Sequence, residues 1–167
     1  MGEATLEEKL VSYIEDAHAM ETNVLKMLES MISTTDDPEM RQALEEHRTE
    51  TERHQGSLHE CLEAHGKSPA TLTKEAPAIL GAMVKGLQDQ VRGDKPGKNA
   101  RDGFVTEHLE IAAYELLERL AERAGDARTA EVARRNRADE ERMAQKIASS
   151  WDQVLELTLK DAGLSEV

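Results

Sequence analysis

The chain has 167 residues and sets 21 Lys and Arg against 34 Asp and Glu, a formal charge of −13. Only Tyr13, Phe104, Tyr114 and Trp151 are aromatic, while Ala, Leu, Glu and Arg abound, which excludes a sheet protein and fits one all-α domain over residues 1–167. The acidic balance argues against nucleic-acid binding, which rests on Lys and Arg neutralising phosphates, and a single cysteine, Cys61, excludes a disulfide framework and a cysteine-based zinc site.

The first expected helix, 6–33, opens on Thr5-Leu6-Glu7-Glu8, a capping-box pattern. Its apolar positions, from Leu6 and Leu10 through Ile14, Ala17 and Val24 to Leu28 and Met31, recur at steps of three and four. Asp37-Pro38 reads as an N-cap with proline at the first helical position, starting a helix over 38–65 that Gly66 stops. A small apolar segment predicts a short helix over 76–91. Asn99 is the expected cap of a long helix over 99–124, and Asp126 of a last one over 127–159. Short linkers near 35 and 125 make two antiparallel hairpins, and the stretch 66–98 is long enough to cross the bundle between them. The expected fold is therefore an all-α, ferritin-like four-helix bundle with one long crossover containing a short fifth helix. No apolar run approaches the ~20 residues needed to span a bilayer. The first residues, MGEATLEEKL, are acidic where a signal peptide is basic, so the expectation is a cytoplasmic protein without membrane contact.

Most of the acids sit on outer helix faces and need no explanation. A few interrupt apolar stripes. Glu21 lies on the line Leu10–Ile14–Ala17–Glu21–Val24–Leu28. In the second helix the face Ala43–His47–Glu50–His54–Leu58–Cys61 carries a carboxylate between two imidazoles. Glu107 and Glu110 share a face with Tyr114 and Leu117, and Glu140 lies on the line Ala133–Asn136–Glu140–Met143–Ile147–Trp151. With turns centred near 35.5 and 125, Glu21, Glu50, Glu110 and Glu140 all stand roughly 22 Å from their turns at ~1.5 Å per residue. All four then meet at mid-bundle.

Carboxylates gathered inside an apolar bundle must hold protons, bases or cations. Glu with His and no Cys suits iron, manganese or zinc, one or two ions per chain. The candidate ligands are Glu21, Glu50, His54, Glu107, Glu110 and Glu140, with the choice between Glu107 and Glu110, and between Asp139 and Glu140, left open by spacing. Asp139 is read as a solvated acid beside the site, His47 as a core-edge residue and Tyr114 as a core tyrosine. The seven methionines are read as filler.

The segments EDAHAMETNVL, EEHRTETERH, EHLEIAAYELLERLAERAGD and DEERMAQKI resemble the ferritin-like stress proteins typified by bacterial YciF and YciE, over about residues 6–157. In ferritin-like di-iron proteins, helices one and three supply carboxylates, and helices two and four supply Glu-x-x-His. Glu21 matches the first position, and Glu107-x-x-Glu110 resembles the paired acids on the third helix of rubrerythrins. Two departures stand out. His54 follows Glu50 by four residues, and the fourth helix has no histidine, with Asn136-x-x-Asp139 in that place and Glu140 nearby. The resemblance implies a di-iron or di-manganese carboxylate protein of bacterial stress response, a homodimer, with redox turnover of peroxide or dioxygen if it is an enzyme. The missing fourth-helix histidine supports an alternative, an inactive structural or interaction bundle with a degenerate site; mineral storage in a large ferritin cage is a third reading.

Overall fold

Every regular element among the described residues is a helix, in the order α1 (Leu6–Thr34), α2 (Pro38–Ala64), α3 (Lys95–Ala124), α4 (Ala127–Ala148) and α5 (Trp151–Asp161). The computed structural model describes residues 5–67 and 95–164. The short helix expected over 76–91 lies outside them.

Helix ends follow local chemistry. Thr5 and Glu8 close a capping box, Glu8 N–H donating to Thr5 Oγ1 at 3.1 Å and Thr5 N–H to Glu8 Oε2 at 2.8 Å. Asp37 Oδ1 caps α2 by accepting from Met40 N–H at 2.9 Å, with Pro38 in the first turn. Gly66 ends α2 at φ 70°, which lets Lys67 N–H reach back to the Leu62 carbonyl at 2.9 Å. Gly125, at φ 77°, turns α3 into α4, where Asp126 caps Thr129 N–H at 3.0 Å.

Two boundaries differ from the sequence reading. α3 is already helical at Lys95–Lys98, before the expected cap Asn99, with Pro96 in that stretch. Asn99 is a buried residue inside the helix. The segment expected as one helix over 127–159 is two, α4 and α5. Ser149 N–H still donates to the Gln145 carbonyl at 3.0 Å, but Ser150 N–H turns to Ile147, also at 3.0 Å. The Ser150 hydroxyl bonds that same carbonyl at 2.9 Å, the acceptor that Trp151 would use in a continuing helix.

The ferritin-like bundle is present as two hairpins, α1–α2 and α3–α4, with α1 against α3, α2 against α4, and α5 against α3. Its interior is layered along the axis. At the end where α1 begins, Leu10, Ile14, Leu58, Leu62, Leu117 and Ala121 make a dry core with Ala130 and Ala133. His65 ties that end together through Asp126, at 3.0 Å. At the opposite end Met27, Leu28 and Met31 face the start of α3 and the α4–α5 break. Between these apolar ends lies a polar layer. No described helix is long and apolar enough to cross a membrane.

Candidate metal centre

The polar layer is built from all four long helices. α1 contributes Glu21, α2 His47 and His54, α3 Glu107 and Glu110, and α4 Glu140, each at most 2% exposed. They form two groups able to hold a metal ion: His47, Glu107, Glu110 and Glu140, and Glu21, His54 and Glu140. Within each group one ligand atom per residue lies within 4.8 Å of every other. Glu140 belongs to both.

The distances have the character of a chelating shell. His47 Nε2 lies 3.1 Å from Glu107 Oε1 and 4.0 Å from Glu140 Oε2. His54 Nδ1 lies 2.7 Å from Glu140 Oε1 and 3.7 Å from Glu21 Oε1. None of these close pairs is aligned as a hydrogen bond. Both ring nitrogens of His47, Nδ1 of His54, both oxygens of Glu110 and of Glu140, Oε2 of Glu21 and Oε2 of Glu107 are buried with no hydrogen-bond partner among the described residues. Orphaned polar atoms are rare in native interiors; His47 Nδ1 faces the rim acid Glu50, and the others, within the two groups, fit cations as their missing partners. Carboxylate oxygen with a single imidazole nitrogen per group is a donor set for first-row divalent ions.

Electrostatics without metal agree with the geometry. Burial pushes the Glu21 carboxyl up to about 8, helped by the charge of Glu140. Burial likewise raises Glu107 to about 7, and lifts Glu110 well above the carboxylate range with Glu140, Glu21 and Glu107 adding repulsion. Burial alone would lower His47, but Glu107 and Glu50, with the charge of Glu140, override it and hold the imidazole up to about 10. His54 is raised against its burial by Glu140 and Glu21. Protons and imidazolium charge thus do in the metal-free chain what cations would do in the loaded one.

A second ring of side chains fixes the first. His54 Nε2 lies 3.0 Å from Asp139 Oδ2. Asp139 also accepts from Arg53 and Arg142. Burial works to raise the Asp139 carboxyl, but these partners hold it below its ordinary value. An ionised carboxylate only accepts, so the Nε2 proton belongs to His54, and neutral imidazole would present its Nδ1 lone pair to Glu140 and Glu21. Tyr114 donates its hydroxyl hydrogen to Glu21 Oε1, and Asn136 Nδ2 donates to the Tyr114 oxygen at 3.1 Å.

Of the residues expected from the sequence as ligands, Glu21, His54, Glu107, Glu110 and Glu140 stand together in this layer. Glu50 does not join them. Its side chain is 36% exposed at the bundle rim, 3.8 Å from His47 Nδ1 and 3.9 Å from an Arg142 nitrogen. The inward position on α2 belongs to Thr51, whose hydroxyl donates to the His47 carbonyl at 3.0 Å. His47, read as a core-edge residue, is in the four-donor group. Its signal was its place seven residues before His54, two turns along the same face. Asp139, read as solvated, is 6% exposed and ion-paired.

A family model described as a domain of unknown function, DUF892, matches residues 5–160. The chain belongs to the DUF892 family. That span takes in every residue of the polar layer. Among solved structures, a protein of Xanthomonas campestris is 26% identical with a TM-score of 0.80, over 96% of this chain and 100% of its own. The Escherichia coli stress protein YciF is 17% identical with a TM-score of 0.75, over 96% of this chain and 99% of its own. YcfI of Rhodopseudomonas palustris is 23% identical with a TM-score of 0.77, over 87% and 94%. The DUF892 match and these neighbours agree with the YciF-type resemblance read from the sequence segments.

Proposed function

We propose that this chain is a ferritin-like metal-binding protein in which His47, Glu107, Glu110 and Glu140 would hold one divalent ion and Glu21, His54 and Glu140 a second, iron, manganese or zinc. The observation that carries the reading is the membership of Glu140 in both donor groups. Charge supports it: Glu21, Glu107, Glu110 and Glu140 bring four negative charges when ionised, and two divalent cations balance them. The formal −13 of the chain would become −9.

Iron or manganese bound there would supply redox exchange with peroxide or dioxygen. The protein's own part is positional. Asp139 fixes the tautomer and ring plane of His54. Tyr114 occupies one oxygen of Glu21 and leaves Oε2 free. The leucine and alanine layer at the end where α1 begins closes off the carboxylates from that side. Similarity to a stress protein of Escherichia coli supports a role in bacterial stress response. A cytoplasmic homodimer belongs to the same reading, and Val105 and Leu116, exposed on one outer face of α3, support a contact there.

The second reading, an inactive structural bundle, draws on Asn136, which stands where a fourth-helix histidine would and donates to Tyr114 and to Ser57. Elemental analysis of protein purified without chelators, followed by anaerobic Fe(II) and Mn(II) titration, separates the two. Two ions per chain in the native sequence, with both lost in Glu140→Ala, is the expected result. Absence of stoichiometric iron, manganese or zinc would overturn the proposal. Bound metal without peroxide or dioxygen turnover would leave the structural reading in place.

A further inference from the structure

A cavity of about 750 Å³ lies at the end of the bundle opposite the dry core, among the α1–α2 turn, the start of α3 and the α4–α5 break. Its inner end includes His47 and Glu107, two members of the four-donor group. Neither Glu21 nor His54 lines it, so it meets the polar layer from one side only. Four of the seven methionines, Met27, Met31, Met40 and Met143, lie in its wall. The opposite end of the bundle is filled instead by leucine and alanine.

From these features we infer that the cavity binds an uncharged, apolar organic molecule and presents one end of it to His47 and Glu107. The inference rests on the metal-binding reading for what that end would meet. Size is the first reason. The volume lies within the range of sites for small organic ligands and far exceeds what peroxide or dioxygen requires. Lining is the second. Methionine thioethers with Ile147 and Leu157 offer water few hydrogen bonds, and flexible methionines repack around apolar guests of varied outline. Charge is the third. The wall carries three lysines, Lys95, Lys146 and Lys160, interleaved with Asp36, Asp37, Glu39 and Asp161, so no single sign selects an ionic headgroup. Several of these already have partners: Asp37 caps α2, Glu39 accepts from Gln153 at 3.3 Å, and Lys146 faces Glu46 at 3.7 Å.

Gly103, one turn before Glu107 on α3 and in the same cavity wall, gives a handle on the cavity's volume. A Cβ built there would touch only Ile147 Cδ1, at 3.6 Å, an ordinary contact. Alanine therefore fits, while leucine would extend into the cavity. Leu157→Trp fills the same space from α5 and guards against a folding defect peculiar to one position. The probe is N-phenyl-1-naphthylamine, an uncharged fluorophore that brightens in apolar surroundings, titrated into the full chain with and without Co(II). The expected result is one probe per chain, bound about tenfold more weakly by Gly103→Leu and Leu157→Trp and nearly unchanged by Gly103→Ala. The visible Co(II) spectrum of the loaded chain should shift when probe is added. A chain that binds Co(II) but takes no probe, or takes it equally well in both filling variants, overturns this inference and leaves the metal reading intact. Probe binding by a chain that takes no Co(II) overturns the metal reading instead.

Discussion

Nε2 of His54 lies 3.0 Å from Oδ2 of Asp139, a buried contact that joins α2 to α4. Because Asp139 also accepts from Arg53 and Arg142, it stays ionised and can only accept from the ring. Replacing it with asparagine removes the charge and offers an amide that can donate as well as accept. Asp139→Asn should therefore weaken metal binding at the Glu21–His54–Glu140 group by about 10- to 100-fold, the usual effect of losing such a partner. Competition titration against a chelator reads this directly. Unchanged affinity at both ions would show that Asp139 does not orient the ring.

The pH dependence of the metal-free protein follows from three shifts that act in the same direction. Glu21 and Glu107 rise from an ordinary 4.5 to about 8 and about 7. For a carboxyl raised on folding, no penalty exists while both states are protonated, and it grows as pH rises from the unfolded value through the folded one. His47 rises from 6.5 to about 10, so its contribution is fully present below 6.5 and is lost as pH climbs through 10. Melting temperature in the presence of a chelator should fall steadily from about pH 5 to pH 9. Glu21→Gln should flatten the curve. Metal must displace these protons, so the stabilisation gained on adding Mn(II) should grow over the same interval. A chelated protein that melts higher at pH 9 than at pH 5 would contradict the assignment of these groups.

The fate of Glu50 shows where the sequence stops being informative. Helix two offered His47, Glu50 and His54 at steps of three and four, and the acid in the middle satisfied the pattern as well as its neighbour did. The midpoint between Thr34 and Pro38 falls at residue 36, fifteen residues from both Glu21 and Thr51. A shift of half a residue in the turn thus moves the inward position on α2 from the carboxylate to the threonine, about 100° around the helix. Glu21, Glu107, Glu110 and Glu140 were legible because each interrupts a long apolar stripe. Ion pairing hid Asp139, since a pairwise contact across 85 residues leaves no trace in local periodicity. The α4–α5 break was hidden for another reason: two serines with near-helical backbone do not interrupt the amphipathic pattern, which runs on into Val154.

A direct comparison of Glu50 and His47 tests that correction. Glu50→Gln should retain both ions, since Glu50 lies outside both donor groups, and weaken only the one beside His47, whose Nδ1 it faces at 3.8 Å. His47→Ala should lose the ion of the four-donor group and keep the one held by Glu21, His54 and Glu140. Metal counts by elemental analysis after gel filtration distinguish the two. The reverse pattern would restore Glu50 as a ligand.

Tyr114 offers a last test, one of stability in the metal-free chain. Its hydroxyl is fully buried, donates to Glu21 Oε1 and accepts from Asn136 Nδ2, linking α3 to α1 and α4. Phenylalanine keeps the ring and its packing but leaves Asn136 Nδ2 with Ser57 Oγ, at 3.3 Å, as its remaining acceptor. Glu21 Oε1 loses its donor altogether. Tyr114→Phe should cost about 1–3 kcal/mol of unfolding free energy by urea titration in chelator, the penalty of burying unsatisfied polar atoms. Saturating metal should recover part of that loss, because a cation can take up the freed Glu21 oxygen. A cost that is the same with and without metal would mean that Tyr114 braces the helices without acting on the Glu21 carboxylate.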